Sequence, residues 1–193
     1  MPEPETDPAV TEPGAKPSLA DVTVAEFRQA GERGDAERAI ACLAANVTLI
    51  SPLTAQFTFS GRDEVANVFR SGFEVISRIR YHTEVGDDRT RALFYHATCG
   101  GQALEEAQLL RLDGAGLITE ITLFGRPLPG LTAVMTRVVP GILRRQGHPR
   151  LGRMLGAGAL PMHAMATSAE QRIVPLAAPH HPPAGPAGKR RFR

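Results

Sequence analysis

Residues 91–124 read RALFYHATCGGQALEEAQLLRLDGAGLITEITLF, and they carry His96, Glu105, Glu106, Gln108 and Glu120 where a simple sheet would prefer Val or Thr. Together with Tyr95 in the same stretch and His82 just upstream, these residue types can move protons. An imidazole such as that of His82 titrates near neutral pH and suits proton transfer. A tyrosine hydroxyl such as that of Tyr95 can donate to a ligand carbonyl. A carboxyl such as that of Glu106 becomes a base of raised pKa when apolar walls bury it. Gln108 offers an orienting amide rather than an acid or base. Glu105 and Glu106 are neighbours on a predicted strand, so they point to opposite faces and cannot form a paired-carboxylate dyad.

What positions these groups is a meander. From Ile79 onward the hydrophobic period is two: IRYHTEV, TRALFYHATC, QALEEAQLLRL and LITEITLF alternate as strands, joined at GDDR, GG and DGAG. With Gly100-Gly101 as a two-residue turn, Cys99 opposes Gln102, Tyr95 opposes Glu106 and Leu93 opposes Gln108. Four-residue turns at DGAG and GDDR place Gln108 opposite Ile121, His82 opposite Leu93 and Glu84 opposite Arg91. One face then collects His82, Leu93, Tyr95, Glu106, Gln108, Leu110, Ile121 and Leu123. The other collects Tyr81, Thr83, Phe94, His96, Thr98, Glu105, Leu109, Arg111, Glu120 and Thr122. A one-residue slip at any turn exchanges the faces.

Upstream of the meander the period is helical. TVAEFRQAG has Thr23 and Glu26 at capping-box spacing and Gly31 as a stop. GDAERAIACLAAN offers Asp35 as a cap and Asn46 as an exit, and GRDEVANVFRSGFEVIS places Val65, Phe69, Phe73 and Ile76 on one stripe. VTLIS and FTFSG are short β-rich runs. The order is helix, helix, β-pair, helix and a four-strand meander, which predicts an α+β domain. Residues 1–17, acidic and rich in proline, read as a disordered tail. A basic amphipathic helix is predicted over 131–146, interrupted or kinked at Pro140. Residues 147–193, rich in Gly and Pro, read as a second disordered tail.

Charge is unevenly spread. Residues 21–136 hold fifteen acids against eleven arginines, whereas 137–193 hold ten basic residues against Glu170 alone. The acidic body argues against nucleic acid binding by the folded domain, and the basic end could contact an anionic surface. Cys42 and Cys99 match no metal spacing and read as reduced core thiols. No apolar run reaches the ~18 residues of a membrane span. The start, MPEPETDPAV, lacks the basic and apolar segments of a secretory signal, which predicts a cytoplasmic protein.

The element order, ANVTLISPL, the GRDEV helix start and GGQALEEAQLLRLDGAGLITEITLFGRPLPGL together resemble the SnoaL-like branch of the nuclear transport factor 2-like superfamily, over about residues 18–135. The resemblance implies a cone-shaped α+β barrel, with a curved antiparallel sheet wrapped around helices and a central pocket over residues 18–130. It implies that the first face is the concave one. His82, Tyr95 and Glu106 then become the candidate catalytic residues, and Leu93, Gln108, Leu110, Ile121 and Leu123 the ligand-binding wall. It also implies homodimers through the outer sheet face. Two acids common in such proteins are missing: the matching positions hold Gln108 and Gly125. Two functions therefore stay open. One is a cofactor-independent isomerase, cyclase or hydratase acting on a small apolar carbonyl or polycyclic compound. The other is a non-catalytic ligand-binding or dimeric scaffold domain. His148, His163, His180 and His181 lack ligand spacing, so no metal site is predicted.

Overall fold

The computed structural model describes residues 16–178. Most of the predicted N-terminal tail and the last fifteen residues of the predicted C-terminal tail lie outside them. The first helix, α1 (Leu19–Arg33), is capped by Ser18, whose hydroxyl accepts from the Asp21 N–H while the Asp21 carboxylate accepts from the Ser18 N–H. This capping box lies five residues before the one expected at Thr23. Gly34, with φ at 70°, ends the helix. Gly31, expected as the stop, sits inside it. A β-carbon there would come within 3.0 Å of the Tyr81 hydroxyl, so the residue makes room for that ring.

Asp35 caps α2 (Ala36–Ala41), which stops short of the exit expected at Asn46. The chain then enters strand β1 (Leu43–Ile50), because Leu43, Val47 and Leu49 bury their side chains in the sheet. Strand β2 is only Phe59–Ser60, and α3 (Arg62–Phe73) follows. The meander forms as β3 (Ile76–Gly86), β4 (Thr90–Cys99), β5 (Gln102–Leu112) and β6 (Ile118–Arg126). The sheet order is β2-β1-β6-β5-β4-β3, with β1 parallel to β6 and the other pairs antiparallel. The result is a curved, open six-stranded sheet with helices packed on one face.

The β4–β5 register agrees with the turn reading: Cys99 pairs with Gln102, Tyr95 with Glu106 and Leu93 with Gln108. Gly100 and Gly101 take positive φ of 58° and 84°, as a two-residue turn that follows the sheet twist requires. Between β5 and β6 the pairing lies two residues from the expected one, with Gln108 opposite Leu123. A shift of two leaves every side chain on its expected face.

Two further differences matter for the site. Leu93, Leu110 and Ile121, expected in the ligand wall, are fully buried in the main core with Val24, Phe27 and Val65. Helices α1 to α3 fill that half of the concave face and leave no space over these three. The chain after 147 also departs from a disordered reading. Helix α4 (Leu128–Arg145) runs through Pro140, and α5 (Pro149–Arg172) packs along it. The close approach depends on small residues: a β-carbon on Gly152 would lie 2.9 Å from the Pro140 carbonyl oxygen. Composition hid this helix because its glycines look like linker residues. No helix among the described residues is long and apolar enough to cross a membrane.

Candidate functional site

The other half of the concave face is hollow. A cavity of about 140 Å³ lies between β4, β5, β6, α3, α4 and the loop after β1. Its walls are almost wholly apolar: Leu49, Phe59, Phe69, Phe73 and Ile79 come from the front half of the chain, and Leu123 from β6. Helix α4 closes one side with Leu131, Val134, Val138 and Ile142. Arg144 and Arg145 at the end of α4 hold it to Glu74, at 2.8 and 2.5 Å. These ion pairs are partly exposed and contribute at most about 1 kcal/mol each. The buried valine and isoleucine side chains contribute more, about 1.5–3 kcal/mol apiece. The mouth is edged by Ser51, Pro52, Leu53, Thr54 and the exposed Phe57.

Two polar groups reach the depth of this cavity, Glu106 and Gln108, with Tyr95 beside them. Glu106 is only 6% exposed. The Tyr95 hydroxyl donates to its Oε1 at 2.6 Å. Desolvation raises the Glu106 carboxyl to about 7, with Tyr95 and Gln108 pulling it back in part. Burial, followed by the neighbouring Glu106 charge, raises the Tyr95 phenol well above its ordinary range, so it stays a donor. Gln108 accepts from the Tyr81 hydroxyl at 3.2 Å. That contact uses the amide oxygen and turns the amide N–H groups toward Glu106 and the cavity.

His82 is not part of this constellation. Strand β3 carries an extra residue between Tyr81 and Thr83, so Tyr81 pairs with Tyr95 while Thr83 pairs with Phe94. Without that bulge His82 would stand opposite Tyr95. With it, Tyr81 takes the inner place and His82 turns to the exposed outer face, stacked on His96 with ring centroids 4.5 Å apart. A β-bulge reverses the alternation on which the face assignment rests. Tyr81 was therefore missed; the room that Gly31 leaves for its ring is the one trace of it in the sequence. Glu84 does pair with Arg91, at 2.9 Å, although its strand partner is Leu93. Gly125 faces Leu131, whose Cδ2 would lie 2.6 Å from a β-carbon there. In this chain the tip of the Leu131 side chain lies where an acid at that position would begin.

Of the proposed catalytic residues, then, Tyr95 and Glu106 come together and His82 is elsewhere. Of the proposed wall, Gln108 and Leu123 line the cavity. Glu105 points outward, as strand alternation requires, with Arg126 Nε at 2.7 Å from its Oε2.

A curved sheet cupped over helices is an α+β arrangement, and solved structures similar to it have the cystatin-like or NTF2-like fold. A family description, "SnoaL-like domain", matches residues 24–121, and the chain belongs to that family. No curated protein sequence matches the chain. Among solved structures, an uncharacterized protein conserved in bacteria with a cystatin-like fold, from Silicibacter pomeroyi, is similar at TM-score 0.58 and 25% identity, over 69% of this chain and 91% of that one. A steroid delta-isomerase from Pseudomonas aeruginosa is similar at TM-score 0.58 and 23% identity, over 67% of this chain and 93% of that one. An NTF2-like protein of unknown function from Mesorhizobium loti has a TM-score of 0.52 at 13% identity, over 60% of this chain and 98% of that one. The family match stops before α4, so the helix that closes the cavity is not part of what identifies the family.

Proposed function

We propose that the cavity binds a small apolar carbonyl compound and that Glu106 moves a proton on it, as in a cofactor-independent isomerase. The observation that carries this reading is the carboxyl of Glu106, buried in an apolar cavity and raised to about 7. At neutral pH such a group is present in both forms, so it can take a proton and return it. An enolisable ketone bound with its α-carbon at Glu106 loses a proton to the carboxylate. Its oxygen gains negative charge, and in this reading a Gln108 amide N–H donates to it. Return of the same proton to another carbon of the conjugated system completes an isomerisation with no co-reactant. Tyr95 orients the carboxyl throughout.

The cavity volume favours a compound near one ring in size, because an apolar cavity of about 150 Å³ accommodates a benzene-sized guest. A polycyclic ligand requires α4 or the loop after β1 to move. The alternative reading, a binding domain without turnover, draws support from Gly125, where Leu131 stands in place of a second polar group.

Hydrogen exchange tests the reading without knowledge of the natural product. Single-ring enones and ketones incubated with the protein in D2O are expected to exchange their α-protons, followed by NMR. Glu106→Gln should abolish the exchange, and Glu105→Gln should leave it intact. Tyr95→Phe should slow it and move its pH midpoint upward, because the carboxylate loses a donor. Ligand-detected binding without exchange would favour the binding domain. Exchange that survives Glu106→Gln would remove Glu106 from the chemistry.

A further inference from the structure

The bulge that takes His82 out of the cavity gives it another setting. On the outer face of the sheet, the donor atoms of His82, His96 and Glu105 lie within 4.8 Å of one another. His96 and Glu105 are direct cross-strand partners on β4 and β5. His82 reaches them from the edge strand β3 only because of the extra residue there. Bulges re-aim side chains in this way, and here the outcome is two imidazoles and one carboxylate converging from three strands.

We infer that His82, His96 and Glu105 form a binding site for a borderline divalent transition cation of the zinc type. Two imidazoles with one carboxylate are a ligand set that suits such ions. The supporting contacts are also in place. The His82 Nδ1 is 2.9 Å from the Thr83 hydroxyl, a contact that occupies Nδ1 and leaves Nε2 to the ion. Hydrogen bonds of this kind to the second ring nitrogen orient metal-binding histidines. Arg126 occupies Oε2 of Glu105 at 2.7 Å, while Oε1 has no hydrogen-bond partner among the described residues. Glu170 of α5 lines the same shallow hollow as His96, Glu105 and Arg126, which adds a second negative charge.

Tetrahedral coordination at ligand distances of about 2.1 Å brings donors to roughly 3.4 Å from each other. Both histidines are exposed, and the site requires their side chains to rotate to close that gap. Two opposing charges are also present. Arg80 is the strand partner of His96, and Arg126 shares Glu105, so neither arginine helps a cation to bind. Arg126 therefore tunes the site downward, which supplies a test that a chance pair of histidines would not meet.

The experiment uses the full chain with any purification tag removed. Isothermal titration with Zn²⁺ should give one ion per chain, and Co²⁺ should produce a visible absorption band typical of nitrogen and oxygen coordination. His96→Ala and His82→Ala should each weaken binding by about tenfold or more, and Glu105→Gln by a similar factor. Arg126→Ala should tighten it. All four positions lie on the outer face, so unchanged circular dichroism is expected, and the Co²⁺ band reports coordination separately from stability. No stoichiometric binding to the wild type would overturn the inference. So would binding that survives in the His82→Ala, His96→Ala double variant, since the ion would then be held elsewhere in the chain.

Discussion

Replacing Glu106 by Gln should make the protein more stable at high pH and leave it nearly unchanged at low pH. The reason lies in where the carboxyl sits. It is buried, and desolvation moves it from an ordinary 4.5 to about 7. Each pH unit of such a rise corresponds to about 1.4 kcal/mol. The ionised form therefore costs about 3 kcal/mol of folding stability. The direction follows from proton binding. Between pH 4.5 and 7 the folded state holds this proton and the unfolded state has released it. Stability from Glu106 is thus complete below 4.5 and is lost as pH rises through about 7. The Gln variant is neutral throughout and keeps an oxygen to accept from Tyr95. Other carboxyls act in the opposite sense. Asp21 is held low chiefly by the Ser18 N–H, Glu74 by Arg145 and Glu105 by Arg126, so they lend stability that rises with pH. They are present in both proteins and cancel in the difference. Urea denaturation of both proteins from pH 4 to 9 should show the difference growing by about 3 kcal/mol in favour of the variant. A difference that stays flat within about 1 kcal/mol across that range would refute the burial argument, and the proposed proton transfer would lose its base.

Two further outcomes test the surroundings of the site. Gly125→Asp should destabilise the protein by about 1–3 kcal/mol, because the new side chain collides with Leu131 and sets a charge against α4; Leu131→Ala should recover part of the loss, and an unaffected urea midpoint would show that α4 does not rest there. We also expect a homodimer through the outer sheet face, where Phe94, Leu109 and the 56% exposed Phe124 form an apolar strip; Leu109→Arg should give monomer by analytical ultracentrifugation, and a wild type already monomeric at tens of micromolar would overturn it.

The sequence by itself determined the central hairpin and most of what hangs on it. Gly100-Gly101 admits one tight turn, that turn sets the β4–β5 pairing, and the pairing puts Tyr95 across from Glu106 and sends Glu105 outward. Local chemistry was enough because the turn residues and the alternating strands agree. The tertiary structure decided what local chemistry leaves open. An extra residue in β3 leaves no mark in the strand's own sequence, because the room for the Tyr81 ring is made by Gly31 on α1, and it exchanged Tyr81 for His82 at the cavity. Leu93, Leu110 and Ile121 face the concave side as strand alternation predicts, yet only the positions of α1 to α3 determine that this part of the face is core. Cavity or core is a question of which helices cover a given stretch of sheet. Helix α5 shows the same limit from the other direction. Its glycines disfavour a helix in isolation, and contact with α4, where Gly152 and Gly156 admit the close approach of Pro140, supplies what the local sequence lacks.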